Sequence, residues 1–174
     1  MSESYIMQSI NENEEIPIDQ LQTLASDRLV ESESISDDTL VSLAREARDS
    51  GAFAPYSEFP VGAALLTEQG LYLGANIEIS GRSTSVHAEM LAAYKAVFEG
   101  ASNFKVMAVS TPRQSTGTGP CGLCQHTLSQ FAKELRILED GGEGNEHGEF
   151  WLSELIGDGY SASTRHMDKI QENQ

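Results

Sequence analysis

Apolar positions between residues 37 and 50 recur at helical spacing. Leu40, Leu43, Ala44 and Ala47 share one face, Ser36 stands where an N-cap belongs, and Gly51 stands where the helix should stop. Pro55-Tyr56-Ser57 reads as a loop. The period then changes. Val61–Thr67 (VGAALLT) and Leu71–Ile77 (LYLGANI) are short apolar runs with Glu68-Gln69-Gly70 between them, the pattern of an antiparallel hairpin. Thr84–Glu99 reads as a helix ended near Gly100, and Lys105–Thr111 (KVMAVST) as a buried strand. Arg113–Gly119 is a turn-rich loop leading to Pro120, which fits a helix start, and residues 121–133 read as that helix. Leu135–Glu139 is a short strand, Asp140–Gly148 an exposed acidic turn, Glu149–Leu152 a last edge strand, and Leu155–Ile170 a terminal helix.

This order predicts a layered α/β domain. Strands joined through helices after the hairpin should run parallel. Two helices follow strands directly, and ligands of α/β sheets gather at that edge. Residues 1–35 differ in character: rich in Glu, Ser, Asn and Gln and poor in aromatics, they read as an acidic, disordered extension with a short amphipathic helix over Ile18–Ala25 at most. The domain proper is then 36–174. No internal repeat is present.

Both predicted helix starts carry chemistry. His87-Ala88-Glu89 opens one region, and Pro120-Cys121-Gly122-Leu123-Cys124 opens the other; Cys121 and Cys124 are the chain's only cysteines. A histidine and two thiolates supply three zinc ligands and leave a fourth position open for water, the arrangement of a catalytic rather than a structural zinc site. Two thiolates cancel the charge of Zn²⁺, yet the ion still activates bound water near neutral pH. Glu89 is placed to shuttle the proton. His87 and Glu89 are two residues apart, which is about 200° on a regular helix. They converge only at an irregular helix start, for which Ser83-Thr84-Ser85 offers capping residues. Cys121 and Cys124 share one helix face, and the positive N-terminal dipole favours thiolate. Cys-x-x-Cys alone also describes a thioredoxin-like redox pair; the preceding His-Ala-Glu turns the reading toward metal. His126 lies near Cys124 but is not needed as a fourth ligand.

Charge narrows the substrate. The formal net charge is −16, and residues 1–38 contribute ten acids against one base, so both the extension and the domain are acidic. Such a surface repels phosphate backbones, which points to a small free substrate and away from nucleic acid. No apolar run is long enough to span a membrane, the first ten residues lack the form of a secretory signal, and no cysteine is left for a disulfide, so a cytoplasmic location is expected. Lysine is scarce, at four residues, which suits a cytoplasm of high salt where screening lowers self-repulsion. Equal stability and activity in dilute and multimolar salt would remove the motive for that idea.

The chain resembles the cytidine deaminases from about Leu40 to about Leu155. The resemblance rests on Ala54–Leu65 (APYSEFPVGAAL), Gly74–Glu78 (GANIE), His87-Ala88-Glu89 and Pro120–Cys124 (PCGLC), four blocks in family order. It implies a three-layer α/β/α domain with a mixed central sheet of about five strands. It implies zinc-dependent hydrolysis of cytidine or deoxycytidine to the uridine product and ammonia, in pyrimidine salvage. By resemblance Asn76 and Glu78 hold the ribose hydroxyls, Phe59 packs near base and sugar, the Ala88 backbone meets the pyrimidine edge, and Glu89 moves protons. On physics alone Phe59 is equally a core residue, Asn76 a turn residue, Glu78 a surface charge and Tyr56 either core or pocket wall.

Some positions depart from the family pattern. Many short members carry cysteine at the His87 position and arginine after the glutamate, where this chain has Met90. The two changes cohere, because a third thiolate adds a negative charge that an arginine offsets. Gly81–Val86 (GRSTSV) looks like the histidine-type branch, while the domain has the length of the short, usually tetrameric branch. A homo-oligomer is expected, a tetramer before a dimer. Gln125-His126 replaces the usual arginine-glutamine. Competing readings are a deaminase of another cytosine compound such as blasticidin S, a deaminase of single-stranded nucleic acid, and a non-catalytic zinc-binding protein.

Overall fold

The computed structural model describes residues 35–81, 84–113, 119–142 and 144–156. The expected Ile18–Ala25 helix and most of Leu155–Ile170 lie outside these residues. Helix α1 (Asp37–Gly51) starts as its sequence predicts: the Thr39 amide donates to Ser36 Oγ at 3.2 Å, and Asp37 and Asp38 occupy the positive first turn. Strands β1 (Gly62–Thr67) and β2 (Leu71–Ala75) form the antiparallel hairpin. Helix α2 (Ala88–Phe98), strand β3 (Phe104–Ser110), helix α3 (Gly122–Ser129), strands β4 (Arg136–Glu139) and β5 (Gly148–Trp151), and the single turn α4 (Leu152–Leu155) follow.

The five strands lie in the order β2-β1-β3-β4-β5. β3 and β4 pair in parallel, as their helical connection requires, and the other neighbours pair antiparallel. The sheet is mixed and covered on both faces. Alternation along each strand divides the core in two. Ala63, Leu65, Met107, Val109 and Ile137 join Ala88, Ala92, Ala93 and Ala96 of α2 and Leu128 of α3 on one side. Ala64, Leu66, Val106, Ala108 and Leu138 meet Leu40, Val41, Leu43 and Ala44 of α1 on the other. That is why β1 is buried at every position instead of at alternate ones. Two glycines let the helices sit this close. A Cβ at Gly62 would run into the backbone of Ala44 and Arg48 in α1, and one at Gly74 into the backbone of Ala88 and Ala92 in α2.

Several expected boundaries move. The helix expected from Thr84 begins at Ala88, because Val86 exchanges two backbone hydrogen bonds with Ile77 (2.9 and 3.0 Å) and keeps the segment before His87 extended. The strand expected to reach Ile77 leaves the sheet after Ala75. Asn76 turns inward, and Ile77 bridges Phe53 on one side and Val86 on the other. The helix expected to reach residue 133 stops at Ser129, where the Phe131 amide turns back to the Leu128 carbonyl (2.9 Å) and the Phe131 ring packs on Phe104. Leu155 ends a short helix instead of beginning a long one, and Ile156 is extended. Asp140, expected in an exposed turn, is 3% exposed. The structure explains the burial by an ion pair with Arg45 of α1.

Candidate metal and active site

His87 and Cys121 are the N-cap residues of α2 and α3. Both have extended backbone (φ −82°, ψ 155° and φ −62°, ψ 159°), so each side chain leaves its helix where the chain is still turning. The irregular start inferred for His87 is therefore present, but His87 itself is the cap. Neighbouring α2 and α3 bring the two helix starts together. His87 Nδ1 lies 3.4 Å from Cys121 Sγ and 3.2 Å from Cys124 Sγ. Tetrahedral zinc with bonds of about 2.3 Å to sulfur and 2.0 Å to nitrogen places those atoms about 3.5 Å apart. Among the described residues His87, Cys121 and Cys124 form the one such cluster able to hold a metal, and His126 is not part of it.

The donor set fits a cation on chemical grounds as well. Burial pushes the Cys124 thiol well above its ordinary pKa, and the negative neighbours Glu89 and Cys121 push the same way. A thiolate there needs a positive charge beside it. Glu89 sits in the first turn of α2, is 6% exposed, and abuts Cys124. Three donors and one buried carboxylate thus converge, and His87, Cys121 and Glu89 of this group line a cavity of about 560 Å³.

The loop between α1 and β1 and the segment after β2 also contribute to the cavity lining. Tyr56, Ser57, Phe59, Asn76 and Glu78 all line the cavity, together with His87, Ala88 and Glu89. Asn76 Oδ1 accepts from the Val61 amide (2.8 Å), and its Nδ2 donates to the Phe59 carbonyl (3.0 Å). Glu78 Oε2 accepts from the amides of Tyr56 (2.9 Å) and Ser57 (3.0 Å). The loop they hold passes through Glu58 with φ 53°, a left-handed turn that a non-glycine residue rarely adopts. Asn76 and Glu78 are therefore the clasp of the Phe59 loop as well as cavity wall. Phe59 is half-buried, Tyr56 is an exposed wall residue rather than core, and Ala88 is fully buried.

Sequence reasoning missed the cavity floor. Asp140 lies at the end of β4 and lines the cavity. Its oxygens accept from Arg45 Nε (2.7 Å) and Nη2 (2.5 Å), Ser110 Oγ (2.6 Å) and the Gly142 amide (2.8 Å). Burial alone would raise this carboxyl, but Arg45, Ser110 and Gly142 hold it below the ordinary carboxylate range. Arg48 adds bonds to Ser110 Oγ (2.9 Å) and the Thr111 carbonyl (3.0 Å). Two arginines on the polar edge of α1 thus tie the ends of β3 and β4 beneath the site. The sequence signal was thin: two cations at 45 and 48, with partners 62 to 95 residues away. Arg113 also lines the cavity and was not singled out.

Comparison with known proteins bears on the family and the fold. Residues 34–138 match the family described as the cytidine and deoxycytidylate deaminase zinc-binding region, a span that contains both metal motifs. The chain is 43% identical over 93 residues to a cytidine deaminase of Sporosarcina psychrophila, covering 53% of this chain and 67% of that protein. It is 33% identical over 124 residues to a cytidine deaminase of Halalkalibacterium halodurans, covering 71% and 92%. The crystal structure of cytidine deaminase from Burkholderia pseudomallei superposes with a TM-score of 0.64 at 27% identity, covering 71% of this chain and 98% of that one. The matched span, the relatives and the fold agree, and the chain belongs to the cytidine deaminase family.

Proposed function

We propose that the protein hydrolyses free cytidine and deoxycytidine to uridine and deoxyuridine, releasing ammonia, as a step of pyrimidine salvage. The observation that carries this reading is the meeting of His87, Cys121, Cys124 and the buried carboxylate of Glu89 beside a cavity that Phe59, Asn76 and Glu78 also line. His87, Cys121 and Cys124 would hold zinc, which when bound supplies the Lewis acidity that makes water nucleophilic near neutral pH. Glu89 takes one proton from the attacking water and delivers it to N3 of the ring; it then carries the second, from the hydroxyl now on C4, to the C4 amine, so that the C4–N bond breaks, ammonia leaves and the C4 carbonyl forms. Low exposure of Glu89 keeps that proton from bulk water. The Ala88 amide, at the first turn of α2, faces the pyrimidine edge. Asn76 has one N–H and one lone pair beyond its bonds to Phe59 and Val61 and offers them to the ribose, beside Glu78.

The acidic surface supports a free nucleoside over a nucleic acid. Exposed Tyr56 and Ile79 at the cavity wall support a homo-oligomer, a tetramer by domain length; the absence of a spare cysteine for a disulfide supports a cytoplasmic location. The test is turnover of cytidine, deoxycytidine, cytidine monophosphate and blasticidin S by zinc-loaded protein, followed by ultraviolet absorbance and ammonia release, with Glu89→Gln alongside. Turnover of the two nucleosides is expected, with Glu89→Gln retaining zinc and losing activity by about 10³-fold or more. Zinc-loaded protein inert on both nucleosides refutes the reading; a fully active Glu89→Gln refutes the proton shuttle.

A further inference from the structure

Arg113 is the one Lys or Arg among the described residues lining the cavity, which it shares with the carboxylates of Glu78, Glu89, Glu139 and Asp140. It lies three residues past the end of β3, on the segment that leads toward Cys121. Its guanidinium carbon stands 5.4 Å from the centroid of the Phe59 ring, within cation–π range. Phe59 belongs to a different loop, and its backbone is already fixed. The Phe59 amide donates to Ser57 Oγ (3.1 Å), and its carbonyl accepts from Asn76 (3.0 Å). Those bonds set the Cα but not the ring. The ring is half-buried and lines the cavity. The Arg113 guanidinium is a contact to the ring from outside its own loop.

We infer that Arg113 is a positioning residue for substrate binding: it holds the Phe59 ring in place against the cavity and bridges the β3 loop to the α1–β1 loop along one side of the mouth. This deepens the proposed function and rests on it. A freed ring must be reordered whenever substrate binds, which weakens binding without touching the proton chemistry at Glu89. The loss therefore falls on KM rather than kcat. Both groups border solvent, so the coupling corresponds to about a two- to five-fold change.

The experiment is a double-mutant cycle on the zinc-loaded protein with cytidine as substrate, using Arg113→Met, Arg113→Lys, Phe59→Leu and the Arg113→Met/Phe59→Leu double variant. Arg113→Met keeps length and removes charge. It should raise KM about two- to five-fold and leave kcat within about two-fold. Arg113→Lys should recover most of the loss, because the cation remains. In the Phe59→Leu background Arg113→Met should have no further effect. An unchanged KM in Arg113→Met, a loss confined to kcat, or an equal Arg113→Met effect with and without the Phe59 ring each overturns the inference while leaving the deaminase reading intact. A wild-type enzyme inert on cytidine overturns both, and is told apart at the first measurement.

Discussion

Replacing Gly74 by alanine tests the link between packing and chemistry most directly. Gly74 lies in β2 opposite Ala63, under the first turn of α2. An added Cβ would stand 2.6 Å from the Ala92 amide nitrogen and closer still to the Ala88 carbonyl oxygen, where ordinary contact begins at 3.4 Å. Both obstacles are backbone, so no side chain can swing aside. Helix α2 must retreat by roughly 0.8 Å or more, or β2 must bend away. Overpacking of this kind typically destabilises by about 1–3 kcal/mol, partly offset by the β2 backbone entropy that alanine saves. The melting temperature should then fall by about 2–12 °C. The turn that moves carries His87 as its cap and Glu89 in its first turn. A displacement near 1 Å at reacting groups lowers turnover by about 10²-fold. Gly74→Ala should therefore lose far more activity than the fraction unfolded accounts for, and its zinc affinity should weaken. Circular dichroism melting, bound zinc and steady-state kinetics on one preparation decide it. Wild-type melting with wild-type kcat would show that α2 is not seated against β2 as described.

Asp140→Asn should destabilise the protein by about 2 kcal/mol at neutral pH, because the part-buried ion pair with Arg45 is lost. The folded carboxyl lies below its ordinary value, so its stabilisation is present above about pH 4 and disappears as pH falls through the lowered pKa. Melting temperature against pH should be steeper on the acid side for wild type than for Asp140→Asn, and parallel acid limbs would contradict this. Asn76→Ala removes the bonds to Val61 and Phe59 as well as any ribose contact. It should lower unfolding free energy by about 1–3 kcal/mol in urea titrations in addition to raising KM, and a purely kinetic effect would deny its clasp role.

Chemistry was legible in the sequence because it depends on residue type and short spacing. His87, Glu89, Cys121 and Cys124 were readable as donors and a proton carrier before any fold was known, since few functions need those groups in that order. The elements were readable where local signals agree, as at Ser36 with its periodic helix and at the Glu68-Gln69-Gly70 hairpin turn. Boundaries failed where a distant partner overrode local preference. Thr84 and Ser85 are capping residues, yet α2 does not start there, because Ile77 bonds Val86.

How residues far apart in the chain come to share one site depends on packing. Asn76 and Glu78 prove to hold the Phe59 loop, Arg45 proves to neutralise an aspartate 95 residues away, and Arg113 proves to lie over an aromatic ring on another loop. A single charged or amide residue carries no periodicity and no motif, so its partner is unreadable until the sheet order brings the strand ends together. The sequence by itself determined which atoms can do the chemistry, because ligand identity and nucleophile activation are properties of side chains. The fold decided where those atoms stand and what surrounds them, because distance and burial are properties of the packed chain.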